Sequence, residues 1–161
     1  MDIKVWIERP DSIEALNLFD ESHRELKARY SADSVQHSFD PHDLASPPAV
    51  FVIARLDGKA VGCGAVRSLD GAMGEVKRVF VQPECRRMGI ARRIMAMLED
   101  QGLRNGFTTL RLETGTEQPE AVAALYESLG YRRIPAFGEY GQSIWRSRVC
   151  LDLIGPPATS A

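Results

Sequence analysis

The sequence predicts an α/β (α+β) fold, and three observations carry that prediction. Strand-like and helix-like stretches follow one another in the order β-α-(α)-β-β-β-α-β-α-β-β. Asp57-Gly58 and Asp70-Gly71 stand between runs rich in β-branched residues, which is hairpin chemistry, so three consecutive strands are antiparallel. Gly74 to Ala91 then reads as a strand, a basic turn and a helix start. The rest of the chain is organised around that last stretch.

Ile3 to Glu8 alternates apolar Ile3, Val5 and Ile7 with Lys4, Trp6 and Glu8, a strand pattern. Pro10 and Asp11-Ser12 start a helix that runs to about Tyr30, with Ile13, Leu16, Leu18, Phe19 and Leu26 as its apolar side. Ser31 to Pro48 is polar, bounded by proline and poorly periodic, with room for a short second helix. Irregular segments of this kind often serve as lids or walls. Val50 to Leu56 and Lys59 to Leu69 form the first hairpin. Gly62 and Gly64 in the second of these strands imply a bulge, or close approach by another backbone or a ligand.

The central strand follows, with Val76, Val79, Phe80 and Val81, and Pro83 ends it because proline cannot donate to a ladder. Ile90, Ile94, Met97 and Leu98 have helical spacing, and Asn105-Gly106 stops that helix. Thr108 to Thr114 alternates Leu110 and Leu112 with Arg111 and Glu113, again a strand. Gln118-Pro119-Glu120 starts another helix, whose apolar face is Val122, Leu125, Tyr126 and Leu129 and whose C-cap is Gly130. Tyr131 to Ile134 begins a strand, Phe137 to Gly141 is a glycine-rich loop with two aromatics, and Ser143 to Leu153 is the last strand.

With 161 residues, 44% hydrophobic and 26% charged, the chain suits one domain, residues 1–154, with Gly155 to Ala161 as a disordered tail. The net charge of −2 gives no general case for nucleic-acid binding. Positive charge is local instead: Lys77, Arg78, Arg86, Arg87, Arg92 and Arg93 crowd the central stretch. No apolar run approaches the ~18 residues of a membrane span, and the start lacks the apolar core of a signal peptide. Cys63, Cys85 and Cys150 are widely spaced and odd in number, giving neither a disulfide framework nor a zinc signature. His23, His37 and His42 show no metal spacing, so no metal is expected. A reducing, cytoplasmic setting fits.

A strand, a basic turn and a helix N-terminus together form a device for holding phosphate, since first-turn amides are unpaired and the helix dipole favours negative charge. Neither G-x-x-x-x-G-K-[ST] nor a strand-linked G-x-G-x-x-G is present, so a nucleotide P-loop and a dinucleotide fold are unsupported. What stands there is Arg86-Arg87-Met88-Gly89-Ile90-Ala91. It resembles the R/Q-x-x-G-x-G/A pyrophosphate loop of the GNAT family of N-acyltransferases. Ala124-Leu125-Tyr126-Glu127-Ser128-Leu129-Gly130-Tyr131 is similar to that family's A-x-x-L-Y-x-x-x-G-[FY] segment. The order of elements matches as well, from end to end. One departure is Pro119, where many members carry an asparagine that touches the cofactor arm.

The resemblance implies the GNAT fold, a central mixed, mostly antiparallel sheet of about seven strands flanked by helices. It also implies an acetyl-CoA co-substrate, cradled at its pyrophosphate by the Arg86 to Arg92 segment, including Arg87, Met88, Gly89, Ile90 and Ala91. The main chain of Val79, Phe80 and Val81 would take the pantetheine arm, with the Val79 N–H polarising the thioester carbonyl. Tyr126 resembles the acid that protonates the leaving thiolate, and Glu75 the base that deprotonates the amine. Glu113 is the rival base, and some members rely on waters instead. Read without the family, Glu75 is a strand carboxylate paired with Lys77 or Arg67, and Tyr126 fills the core. Cys85 reads as a bystander. Trp6 and Trp145 read as packing residues.

The acceptor wall falls on residues 26–45 and on Phe137 to Gln142, with Phe137 and Tyr140 as substrate contacts beside Glu113. A small-molecule primary amine is the expected acceptor, by direct attack in a ternary complex. The alternatives are acetylation of a protein amine and a non-catalytic acyl-CoA sensor. A homodimer through the last strand, read as a sheet edge, is also expected.

Overall fold

Period-two runs pair into one seven-stranded sheet in the computed structural model, which describes residues 1–29, 41–115, 120–134 and 146–152. The chain order of its elements is β1 (Ile3–Ile7), α1 (Ile13–Arg29), β2 (Val50–Leu56), β3 (Lys59–Asp70), β4 (Met73–Val81), α2 (Ile90–Arg104), β5 (Thr109–Gly115), α3 (Glu120–Ser128), β6 (Arg132–Arg133) and β7 (Arg146–Asp152). Neighbours in the sheet run β1-β2-β3-β4-β5-β7-β6. All pairs are antiparallel except β4 with β5. This is the α/β architecture that the alternating patterns and the two hairpin turns imply.

Each face of the sheet has its own core. On one face α2 lays down Ile90, Ile94, Met95 and Leu98 against Val52, Val66, Val76, Leu110 and Leu112. Tyr126 of α3 and Tyr131 join the same cluster, their rings edge-on at 5.8 Å. On the other face Ala15 and Leu18 of α1 cover Phe51, Ile53, Cys63, Ala65 and Phe80. Arg55 of β2 reaches Glu8 after β1 at 2.7 Å and Glu14 in the first turn of α1 at 2.8 Å, pinning that corner.

Gly62 and Gly64 are explained by α2 rather than by a ligand. A Cβ on Gly64 would lie 2.6 Å from Ile94 Cγ2 and 3.0 Å from Leu98 Cδ1; one on Gly62 would meet the Phe80 carbonyl at 2.8 Å. The helix can sit this close only because the strand is bare there. Gly64→Ala is therefore expected to lower stability by about 1–3 kcal/mol through overpacking, read as a shifted denaturant midpoint with an unchanged slope.

Three expectations are corrected. Ile13 (78% exposed) and Leu16 (46%) leave the buried side of α1, which is the Ala15–Leu18–Ser22 stripe at spacings of three and four residues. Trp6 is 54% exposed on edge strand β1 and is not a packing residue. The last strand is not an edge: β7 lies between β5 and β6, paired to β6 through Cys150 and Val149. Of the 31–48 segment, which has room for a short second helix, residues 41–48 are described and carry a short 3-10 helix at Pro41–Leu44. His37, Pro119, Phe137, Tyr140, Trp145 and the 155–161 tail lie outside the described residues.

Candidate active site

β4 and β5 start as neighbours and then part. Their pairing is confined to Met73 with Thr109, Gly74 with Leu110 and Glu75 with Arg111, yet β4 continues to Val81 and β5 to Gly115. A bulge in β4 goes with this parting. Register slips between Cys63 and Ala65 of β3, and Arg78 opposite takes a left-handed φ of 59°. A bulge bends its strand and increases its twist. The Cys63 thiol donates to the Arg78 carbonyl at 3.3 Å and so ties the bulge down. Burial pushes that thiol's pKa up to about 12, so it stays a protonated donor and is no nucleophile.

Backbone alternation decides what faces the gap. The Gln82 N–H donates to the Val61 carbonyl at 2.8 Å, so Gln82 points at β3. Phe80, two residues earlier and opposite Cys63, points the same way. Val79 and Val81 consequently turn their polar backbone groups away from β3, into the gap. The Phe80 side chain is buried beneath α1.

At the mouth of the gap lies the loop before α2. Pro83–Cys85 is a 3-10 turn, and Arg87 (φ 65°) and Gly89 (φ 79°) are both left-handed. Successive turns of this kind curl backbone N–H groups into an anion-binding concavity. Gly89 is the N-cap of α2, no side chain caps the helix, and its first turn holds no acidic residue. None of the amides from Arg87 to Arg92 donates to another group among the described residues. The loop therefore fits a phosphate-bearing ligand on its own geometry.

Arg86 is put to another use. Its amide donates to the Pro83 carbonyl at 3.3 Å. Its guanidinium donates from Nε to the Val81 carbonyl at 2.9 Å, pairs with Glu25 of α1 at 2.6 Å, and lies 5.7 Å from the centre of the Phe80 ring. It braces the loop rather than opening onto it. Gln82 makes a second brace to α1, donating to Glu21 at 3.0 Å. Arg92 reaches Ser128 of α3 at 2.7 Å, tying α2 to α3 beside the loop.

Glu75 stands at the root of the gap, on the face covered by α1. Its side chain is 1% exposed, with Arg67 Nε at 2.8 Å and Lys77 Nζ at 3.9 Å, both to Oε1. Oε2 takes no hydrogen bond among the described residues. Both bland partners named from sequence are therefore real, and one carboxylate oxygen still remains open. Glu113 shares this face, because Leu110 and Leu112 occupy the other; its Cα pairs with that of Arg148. Tyr126 lies on the α2 face, 6% exposed. Its hydroxyl makes no hydrogen bond among the described residues, and burial pushes its pKa up to about 12. Among those residues, no cluster of three His, Cys, Asp or Glu could hold a metal, and no helix is long and apolar enough to cross a membrane.

The structure thus brings the loop amides, Val79, Val81 and Glu75 to one gap. What sequence reasoning missed is the row that continues the Arg67–Glu75 pair: Arg67, Glu75 and Arg111 hold matching positions on β3, β4 and β5. Arg67 lies close to Glu75 along the chain, across the Asp70-Gly71 hairpin, and was named from sequence as a partner. No such closeness along the chain points to Arg111, because a helix intervenes.

A parted parallel seam with an uncapped helix start at its mouth suits a phosphate-bearing ligand, and comparison supplies the family. Residues 13–131 match the model of the Acetyltransferase (GNAT) family. An IAA acetyltransferase of Azospirillum brasilense is 40% identical over 141 residues, covering 87% of this chain and 91% of that protein. A Klebsiella pneumoniae structure described as an acyl-CoA N-acyltransferase superposes with a TM-score of 0.78 at 28% identity, covering 94% of this chain and 97% of that one. An N-acetyltransferase of Thermoplasma acidophilum, solved with coenzyme A, shares the fold at a TM-score of 0.70 and 17% identity, covering 94% and 99%. The chain belongs to the GNAT family and is an acetyltransferase of that family.

Proposed function

We propose that this protein transfers the acetyl group of acetyl-CoA to a primary amine of a small molecule, by direct attack while both reactants are bound. The observation that carries the reading is the seam itself, a gap lined by outward-turned Val79 and Val81 that opens onto the uncapped start of α2. Acetyl-CoA supplies an activated acyl group on a thiolate leaving group.

The protein's own groups divide the remaining work. Amides of Arg87 to Arg92 hold the pyrophosphate. The Val79 N–H holds the carbonyl oxygen as it gains negative charge, an oxyanion-hole role. Glu75 Oε2 accepts a proton from the attacking amine, directly or through one water. The Tyr126 hydroxyl gives a proton to the departing thiolate, and its raised pKa keeps that proton in place across the working range. Binding both reactants supplies proximity. The proposed setting is the cytoplasm, where buried free thiols such as Cys63 and Cys85 persist.

The test is release of free thiol from acetyl-CoA with a panel of small amines. Thiol release that depends on the amine supports transfer. Tight acetyl-CoA binding without release for any amine, small or peptide-borne, would make the protein a sensor instead. With a working amine, Glu75→Gln is expected to flatten the acidic limb of kcat/KM against pH. Raising the pH should then partly restore activity, because more amine arrives deprotonated. An unchanged acidic limb would move the base to Glu113 or a water chain.

A further inference from the structure

Both ends of the turn that leads into the donor loop are held by one helix. Gln82 precedes the 3-10 turn Pro83–Cys85, and Arg86 follows it. Gln82 donates from Nε2 to Glu21 of α1 at 3.0 Å, and Arg86 pairs with Glu25 of α1 at 2.6 Å. Glu21 and Glu25 lie one helical turn apart and flank buried Ser22. Between the two braces, Cys85 is buried in the core on the other face of the sheet, so the turn is fixed from both sides. Arg86 also closes the turn onto β4, with its amide on the Pro83 carbonyl at 3.3 Å and its Nε on the Val81 carbonyl at 2.9 Å. The next residue, Arg87, takes the left-handed conformation with which the curl of amides begins.

Stability does not explain these braces. Gln82 is 8% exposed, and no donor among the described residues reaches its buried Oε1. An unmet buried acceptor is a cost that an apolar residue would avoid. The Arg86–Glu25 pair is partly exposed, with side chains 38% and 23% accessible, and pairs of that kind add little to stability. What the braces do fix is aim. A cradle made of backbone amides points wherever the entering chain directs it, and small misplacements of such donors are costly. We propose that Glu21, Gln82, Glu25 and Arg86 are positioning residues for the donor. α1 holds the loop in the curve that accepts pyrophosphate, and Arg86 acts on acetyl-CoA through that loop rather than by touching phosphate. This rests on the reading above in which the loop amides hold the pyrophosphate.

The two ways in which Arg86 can serve a phosphate ligand differ in sign. If its guanidinium touched phosphate, removing the rival anion in Glu25→Gln would strengthen acetyl-CoA binding. If it positions the loop, Glu25→Gln weakens binding. The expected result in calorimetric titration with acetyl-CoA is a loss of about 10-fold in both Glu25→Gln and Arg86→Met, with no further loss in the double variant, because the pair acts as one unit. With a working amine the loss should appear as a raised KM for acetyl-CoA at unchanged kcat, while the thermal midpoint of the unliganded protein stays in place. Tighter or unchanged binding in Glu25→Gln, or additive losses in the double variant, overturns the proposal. Gly89→Glu, titrated alongside, separates the two readings. If it abolishes binding while the brace variants bind normally, the loop stands and the braces fall; if it too binds normally, the loop reading itself falls.

Discussion

Gly89→Glu is expected to abolish measurable acetyl-CoA binding in an otherwise folded protein, a loss of at least 100-fold in affinity. Space is not the reason, since a Cβ at Gly89 would meet nothing within 4 Å. Two other effects act together. Gly89 has a φ of 79°, where any side chain costs roughly 1–2 kcal/mol. The new carboxylate would also sit at the positive end of α2, where it would supply the missing cap and compete for the amides proposed to hold pyrophosphate. Gly89→Ala separates these effects, carrying the backbone strain without the charge, and should lose far less. Calorimetric titration with acetyl-CoA decides. A folded Gly89→Glu protein that binds normally would remove the loop from the donor site.

Tyr126→Phe is expected to lower kcat by roughly 10- to 1000-fold, the range of a general-acid contribution, with little change in acetyl-CoA affinity. The ring's place against Tyr131 and the α2 core survives the substitution. Because the hydroxyl makes no hydrogen bond among the described residues, its removal leaves no orphaned partner, so stability should hardly move. The sign of the pH effect follows from burial. A donor must be protonated to act, and the Tyr126 pKa is raised to about 12, so its loss of proton contributes no alkaline limb below that pH. A wild-type kcat that falls between pH 8 and 10 must take that fall from another group. Unchanged kcat in Tyr126→Phe would return the residue to packing.

Much of this molecule could be read from residue patterns because its signals are local. Asp57-Gly58 and Asp70-Gly71 mark two hairpins and with them the antiparallel order of β2, β3 and β4, although the register slips beside each turn, between Ala54 and Arg55 and between Ser68 and Asp70. Gly89 before Ile90, Ile94 and Leu98 marks the neighbourhood in which α2 starts, and it proves to be the N-cap. What escaped depends on distance along the chain. The bulge at Arg78 needs the Cys63 thiol and β3 to hold it, and nothing near Arg78 announces it. Whether Ile13 or Ala15 faces the sheet depends on how α1 is rolled, and the small Ala15 wins because the helix packs closely over Ala65 and Cys63. Arg86 looked like part of the phosphate loop because its motif position says so. Its actual partners, Glu25 and the Val81 carbonyl, were visible only once α1 had been laid beside the loop.

The seam between β4 and β5 also bears on recognition. Past Glu75 and Arg111 each strand presents an open edge inside the molecule. Open edges ordinarily recruit strands from other chains. Here the two edges diverge from a shared root and cannot both flank a foreign strand in register, so the usual hazard is designed out. On the reading proposed above, a single slender, amide-bearing arm lies along β4 and pairs with Val79 and with the Val81 N–H, the Val81 carbonyl being taken by Arg86. A donor held in this way is read by peptide groups rather than by side chains. On that reading, most side-chain substitutions along the gap should leave donor choice alone.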